Sequence, residues 1–180
     1  MTLEQFNRAG RSAAIDALQP CADIRRWCEE IADGRPFSSI AALLDAARVA
    51  ALPFRPEEIA VALTRHPRIG QRPAAAGTEG TEGTDGTDGT ESTEAALSRG
   101  EQCGVDPADA ANATALAAGN LAYEAKFGRV FLIRAAGRTG QEMLSALHER
   151  LHHTAAEEDR VTAEQLREIA LVRLEGVVSA

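Results

Sequence analysis

Small apolar residues at helical spacing run through almost all of this 180-residue chain, and they decide what it can fold into. Alanine, leucine, isoleucine and valine dominate the apolar residues, while aromatic residues make up only 4%. Strands favour β-branched and aromatic side chains; alanine and leucine are strong helix formers. The pattern predicts an all-α helical bundle. Its length is that of a single domain over residues 1–180, enough to bury a core without disulfide or metal staples.

Start and stop signals divide the helical pattern. Thr2 is placed to cap a first helix, with Gln5 in the capping-box position. A second segment is expected from about Ala22 to Asp33, ending before Gly34-Arg35-Pro36. Ser38 or Ser39 can cap a third, Ile40 to about Ala51, with Leu43, Leu44 and Val49 on its apolar side. Pro56 in a first turn, followed by Glu57-Glu58, opens a helix that should run to His66. Further helices are expected from Ser92 to about Cys103, and from the Asp106-Pro107 cap, through Leu116, Leu121 and Tyr123, to Gly128. Val130-Phe131-Leu132-Ile133, bounded by Gly128 and Gly137, is too short for a helix. It predicts one short extended, buried segment near residues 129–135. Two final helices are expected over Thr139–His152 and Thr162–Val177.

Residues 77–91 break this pattern with five tandem Gly-Thr-acid triplets. Proline is absent, so collagen is not implied. The acidic, polar composition predicts a flexible surface insertion at about 77–91.

The formal net charge of −8 argues against nucleic acid as a partner, because phosphate contacts need clustered Lys and Arg. No apolar run is long enough to span a membrane. The N-terminus lacks the basic and apolar regions of a secretory signal, so a cytoplasmic location is expected. Three cysteines, Cys21, Cys28 and Cys103, without a CxxC spacing, argue against a disulfide framework or a Cys-rich zinc site.

Several motifs could carry chemistry. Proline disfavours the α conformation in the residue before it, so Pro67 should end a helix at His66 and leave the imidazole projecting from a stiff terminus. Histidine titrates nearest neutrality, although a lone His-Pro is also an ordinary helix stop. His148-Glu149-x-x-His152 matches the zinc-hydrolase pattern, with two histidines on one helix face and a glutamate as base. The extended form of that pattern, with its later Gly and His, is missing, and an amphipathic helix with Met143, Leu144, Leu147 and Leu151 inward explains the same residues. Ser98, Glu101 and Gln102 share a helix face that could bind a small polar ligand, or could simply face solvent. The extended segment after Lys126-Phe127-Gly128 leaves backbone groups to be satisfied by neighbouring side chains or by a ligand. Near Arg25, Arg26, Trp27 and Arg35-Pro36-Phe37, Cys21 is a possible nucleophile, but a buried side chain is the simpler reading.

Taken in order, Cys21 through Trp27, Arg35-Pro36-Phe37, His66-Pro67 with Ile69-Gly70, Ser98-x-x-Glu101-Gln102, Asn120-x-x-Tyr123, Lys126-Phe127-Gly128, Phe131-Leu132-Ile133, Gly137-Arg138, Arg150-Leu151 and Arg173-Leu174 form a specific set. The set resembles the 2-oxo-4-hydroxy-4-carboxy-5-ureidoimidazoline (OHCU) decarboxylase family. The resemblance implies an all-helical, usually dimeric lyase of urate catabolism that yields (S)-allantoin from a small-molecule substrate without a cofactor or metal. It implies that His66 is the acid/base group. It also implies that Pro67, Ser98, Arg99, Gly100, Glu101 and Gln102, together with Phe131, Leu132, Ile133, Arg134 and Ala135, bind substrate. Arg173, or less favourably Arg138, is the candidate partner of the leaving carboxylate. Three departures stand out: the triplet insertion between His66 and Ser98, Leu132 in place of valine, and Arg134 in place of a smaller residue. The competing readings are a zinc-dependent hydrolase using His148, Glu149 and His152, and a non-catalytic helical ligand-binding domain.

Overall fold

The computed structural model describes residues 1–64, 66, 68–70 and 110–179. The Gly-Thr-acid triplets, the Ser92–Cys103 expectation and the Asp106-Pro107 cap lie outside the described residues. Within them the chain forms eight helices: α1 (Leu3–Arg8), α2 (Arg11–Ala22), α3 (Arg25–Asp33), α4 (Ile40–Ala50), α5 (Pro56–Leu63), α6 (Ala110–Phe127), α7 (Gly140–Arg150) and α8 (Ala155–Val177). No strand forms among these residues. An isolated parallel bridge pairs Thr2 with Ser179, bringing the two ends of the described chain together.

Capping chemistry sets most of the boundaries. Thr2 and Gln5 form a reciprocal capping box on α1, and Ser39 caps α4. Pro56 opens α5. Thr139 with Glu142, and Thr154 with Glu157, close capping boxes on α7 and α8. Three expectations shift. Ala22 ends α2 rather than starting the next helix, because Asp23 adopts the left-handed conformation at φ 51° and stops the chain there. Helix α5 ends at Leu63, ahead of His66. There Thr64 N–H and His66 N–H both take carbonyls three residues back, and the Thr64 hydroxyl donates to Val61 O at 2.7 Å. Helix α8 starts at Ala155, well before Thr162, which is a buried mid-helix residue.

Two apolar cores result. The first joins α2, α3, α4, α5 and α8 around Leu18, Trp27, Leu43, Leu166 and Leu174. Trp27 is fully buried and its indole N–H donates to Ala47 O at 2.9 Å, so the ring carries no unsatisfied polar atom into the core. The second joins α6 and α7 around Leu116, Tyr123, Met143 and Leu147. Val49, expected on the apolar side of α4, is instead exposed.

Residues 130–135 form the seam between the cores. As predicted, the segment is not helical, and Phe131, Leu132, Ile133 and Ala135 within it are buried. Phe131, Ile133 and Ala135 pack into the α6–α7 core, while Leu132 packs into the other. That alternation is the two-residue period of extended backbone.

Arginines staple the loops. Arg35 donates to Phe6 O, Ala9 O and Ala32 O, collecting carbonyls from the ends of α1 and α3. Arg26 grips Glu58 at 2.7 and 2.9 Å and donates to Ala50 O, linking α3 to the α4–α5 connection. These are the motif arginines near Trp27, and their work is structural.

Candidate active site around His66

The turn after α5 places His66 with its ring buried. Its Nδ1 lies 2.8 Å from Ala62 O. A carbonyl only accepts, so this contact assigns the proton of the neutral ring to Nδ1 and the lone pair to Nε2. The helix end thus fixes both the orientation and the tautomer of the imidazole, and Nε2 is the nitrogen able to take up a proton.

The chain beyond His66 is held by α6. Arg68 pairs with Glu124 through two contacts of 2.5 and 2.6 Å. The guanidinium keeps the Glu124 carboxyl below the usual carboxylate range. Asn120, itself buried, donates from Nδ2 to Ile69 O at 2.9 Å. Ile69 packs into the same core as Phe131, Ile133 and Ala135. The His66 segment and the extended segment therefore share one apolar cluster.

The extended segment is held in turn by a buried charged network. Arg150 donates from Nη1 to Leu132 O at 2.6 Å and lies over the Phe131 ring at 4.7 Å. Its guanidinium pairs with Glu158, which is fully buried and also accepts from the Tyr123 hydroxyl. His153 Nδ1 approaches the same carboxylate at 2.9 Å. Burial pushes the Glu158 carboxyl up, but Arg150, Tyr123 and His153 outweigh it, and the group sits below its ordinary range. Breaking one partner of such a pair costs about 3–5 kcal/mol, because the other is left buried and uncompensated.

The remaining candidates divide clearly. Pro67, Ser98, Arg99, Gly100, Glu101 and Gln102 lie outside the described residues. Arg134, whose role was open, turns its side chain to the α8 surface, where it pairs with Glu168 at 3.2 Å and donates to Ala136 O. Its backbone N–H donates to Gln165 Oε1 at 3.0 Å. Together with Arg150 on Leu132 O, this shows side chains satisfying part of the extended backbone. Arg173 is buried on α8 and donates to Pro20 O at 3.3 Å. Arg138 is half-buried, and its Nε is inaccessible with no hydrogen-bond partner.

His148, Glu149 and His152 lie exposed on α7 and the turn after it, and His152 Nδ1 is turned to His148 O at 2.9 Å. Among the described residues no third Cys, His, Asp or Glu joins any such pair at metal-binding distance. Cys21 is fully buried, and burial pushes the Cys28 thiol up to about 12, the reverse of what a nucleophile needs. No helix among the described residues is long and apolar enough to cross a membrane.

No sequence motif points to a role for Glu124 or Glu158, and Asn120 enters only within Asn120-x-x-Tyr123. The i, i+4 spacing of Asn120 and Glu124 was the available signal, since it puts an amide and a carboxylate on one helix face.

The family model described as OHCU decarboxylase matches residues 7–175. No curated protein matches. A crystal structure of an OHCU decarboxylase, determined in the presence of (S)-allantoin, is similar with a TM-score of 0.67 and 23% identity, over 92% of this chain and 99% of that chain. A crystal structure of an (S)-allantoin synthase is similar with a TM-score of 0.65 and 18% identity, over 99% of this chain and 54% of that chain. This chain thus spans about half the length of the synthase. At these identities the likeness to both structures is one of fold.

Proposed function

This chain belongs to the OHCU decarboxylase family, and we propose that His66 is the group that moves the proton in its reaction. That reaction is the decarboxylation of 2-oxo-4-hydroxy-4-carboxy-5-ureidoimidazoline, a step of urate catabolism. In it the bond between the ring carbon and the carboxylate breaks, and CO2 leaves. The electron pair passes into the ring toward the imine nitrogen, which takes a proton. The hydroxyl on the same carbon gives up its proton and becomes a carbonyl. The neighbouring, ureido-bearing carbon receives a proton, and delivery from one face gives a single enantiomer, (S)-allantoin.

Placement of hydrogen bonds and control of protons are enough to drive such a step. The observation that carries the reading is the His66 ring, whose Nδ1–H is committed to Ala62 O. Its Nε2 is the base that takes the hydroxyl proton, and the acid that returns one to carbon. Glu101 and Gln102 bind the ring and ureido N–H and C=O groups, and backbone groups around Ile133 and Ala135 hold the opposite edge. Arg173 pairs with the carboxylate before it leaves, with Arg138 as the alternative; Arg173→Lys and Arg138→Lys tell them apart, because only the true partner loses affinity for substrate.

The chain acts as a homodimer in the cytoplasm in this reading. Its buried thiols, Cys21 and Cys28, suit a reducing compartment, and sedimentation of the purified protein tests the dimer.

The direct test is turnover of freshly generated substrate followed by circular dichroism. Formation of one allantoin enantiomer, faster than the spontaneous reaction, is the expected result. A racemic product at the spontaneous rate would support a non-catalytic ligand-binding domain instead.

A further inference from the structure

We propose that a single turn of α6, Asn120 to Glu124, is a positioning device that sets the distance between the two sides of the active site. The inference rests on the reading that His66 and the 131–135 segment face one substrate.

On one side, Asn120 and Glu124 project four residues apart from the same helix face. Both hold the stretch that follows His66, one through the Ile69 carbonyl and the other through the Arg68 guanidinium. Asn120 is 3% exposed, so its contact is shielded from water. On the other side, Tyr123 lies between them in sequence and faces a different way. Its ring meets Phe131 edge-on at 5.2 Å. Its hydroxyl donates to Glu158, which holds Arg150, which holds Leu132 O.

Neighbouring residues of a helix are separated by a fixed rise and rotation, so the two sets of contacts are locked in register by the backbone between them. A residue at the His66 end cannot drift relative to Leu132 without unwinding α6. None of the three side chains needs to touch substrate. Their effect is exerted through His66 on one side and through the extended segment on the other.

This division makes the two sides separable by experiment. Glu124→Ala frees Arg68 and loosens the His66 side. It should lower kcat by about tenfold or more, while KM stays within about twofold. The swapped pair, Arg68→Glu with Glu124→Arg, should recover most of that loss. Tyr123→Phe keeps the ring but deletes the hydroxyl that orients Glu158. It should raise KM, and weaken (S)-allantoin binding, by about fivefold or more, leaving the pH profile of kcat in place.

A readout independent of turnover is the NMR signal of the His66 ring in labelled protein. Glu124→Ala should displace it, and Tyr123→Phe should not. Turnover by the wild type, with the His66 signal unmoved in Glu124→Ala, would overturn the inference. So would kinetic constants that stay at wild-type values in both variants while only the melting temperature drops. A wild type without turnover whose His66 signal does move in Glu124→Ala would instead reject the decarboxylase reading and leave the positioning role standing.

Discussion

Two neighbours define what His66 can do. The Ala62 carbonyl fixes the proton on Nδ1, and the end of α5 fixes where the ring points. Asparagine at position 66 can reproduce the Nδ1 donor but has nothing at the place of Nε2. His66→Asn should therefore keep the fold, with a melting temperature close to wild type, and lose about 10²–10⁴-fold in kcat; kinetics alongside a thermal scan checks both. Cys28 offers a second test at this scale. With its thiol pushed up to about 12 and its side chain buried, it should resist iodoacetamide at pH 8 in the native protein and react fully once unfolded. The chain stop near His66 was legible because proline disfavours the helical conformation in the residue before it. Glu158 was not, because a carboxylate in an acidic helical stretch reads as solvated surface until the fold brings Arg150 and Tyr123 to it.

Helix packing depends on close approach at a few positions. Gly119 in α6 faces Leu147 of α7, and a Cβ there would lie 2.5 Å from a Leu147 methyl carbon. Leu147 is fully buried, so its methyl would have to shift within a packed core. Gly119→Ala should lower stability by about 1–3 kcal/mol through overpacking, against the roughly 1 kcal/mol that alanine gains in a helix. Gly176 in α8 has nothing within 4 Å of its Cβ position, so Gly176→Ala should be neutral to stabilising by up to about 1 kcal/mol. Denaturant melts of the two variants compare them directly. Helix starts at Thr2, Ser39, Pro56 and Thr139 were readable because caps are local chemistry. Thr154-x-x-Glu157 is the same signal as Thr139-x-x-Glu142, and it, not Thr162, marks the start of α8. Val49 lies on the exposed side of α4, against its apolar character, because alanine-rich helices have shallow apolar periodicity: alanine sits on either side at little cost.

At the scale of the whole molecule, the 130–135 seam ties two cores together, and charged groups hold it. The extended segment itself was legible from its glycine bounds, but the division of its side chains between two cores depends on which helices meet there. The same charges govern acid stability. Arg26 holds Glu58 low and Arg68 holds Glu124 low; at Glu158, burial raises the carboxyl but the pairing with Arg150 and its neighbours outweighs it. Each depressed carboxyl stabilises the fold above the ordinary carboxylate value of about 4.3, where the unfolded chain is also ionised. Below that value the unfolded state takes up protons first. The melting temperature should be level from about pH 5 to 7 and fall progressively as pH drops below about 4.5 through the depressed native values. The most direct measurement of the catalytic reading is turnover of fresh substrate by His66→Ala, read as optical activity of the allantoin formed. Loss of the enantiomeric product, with (S)-allantoin still bound and the fold intact, is the expected result; wild-type turnover of a single enantiomer by that variant would contradict it.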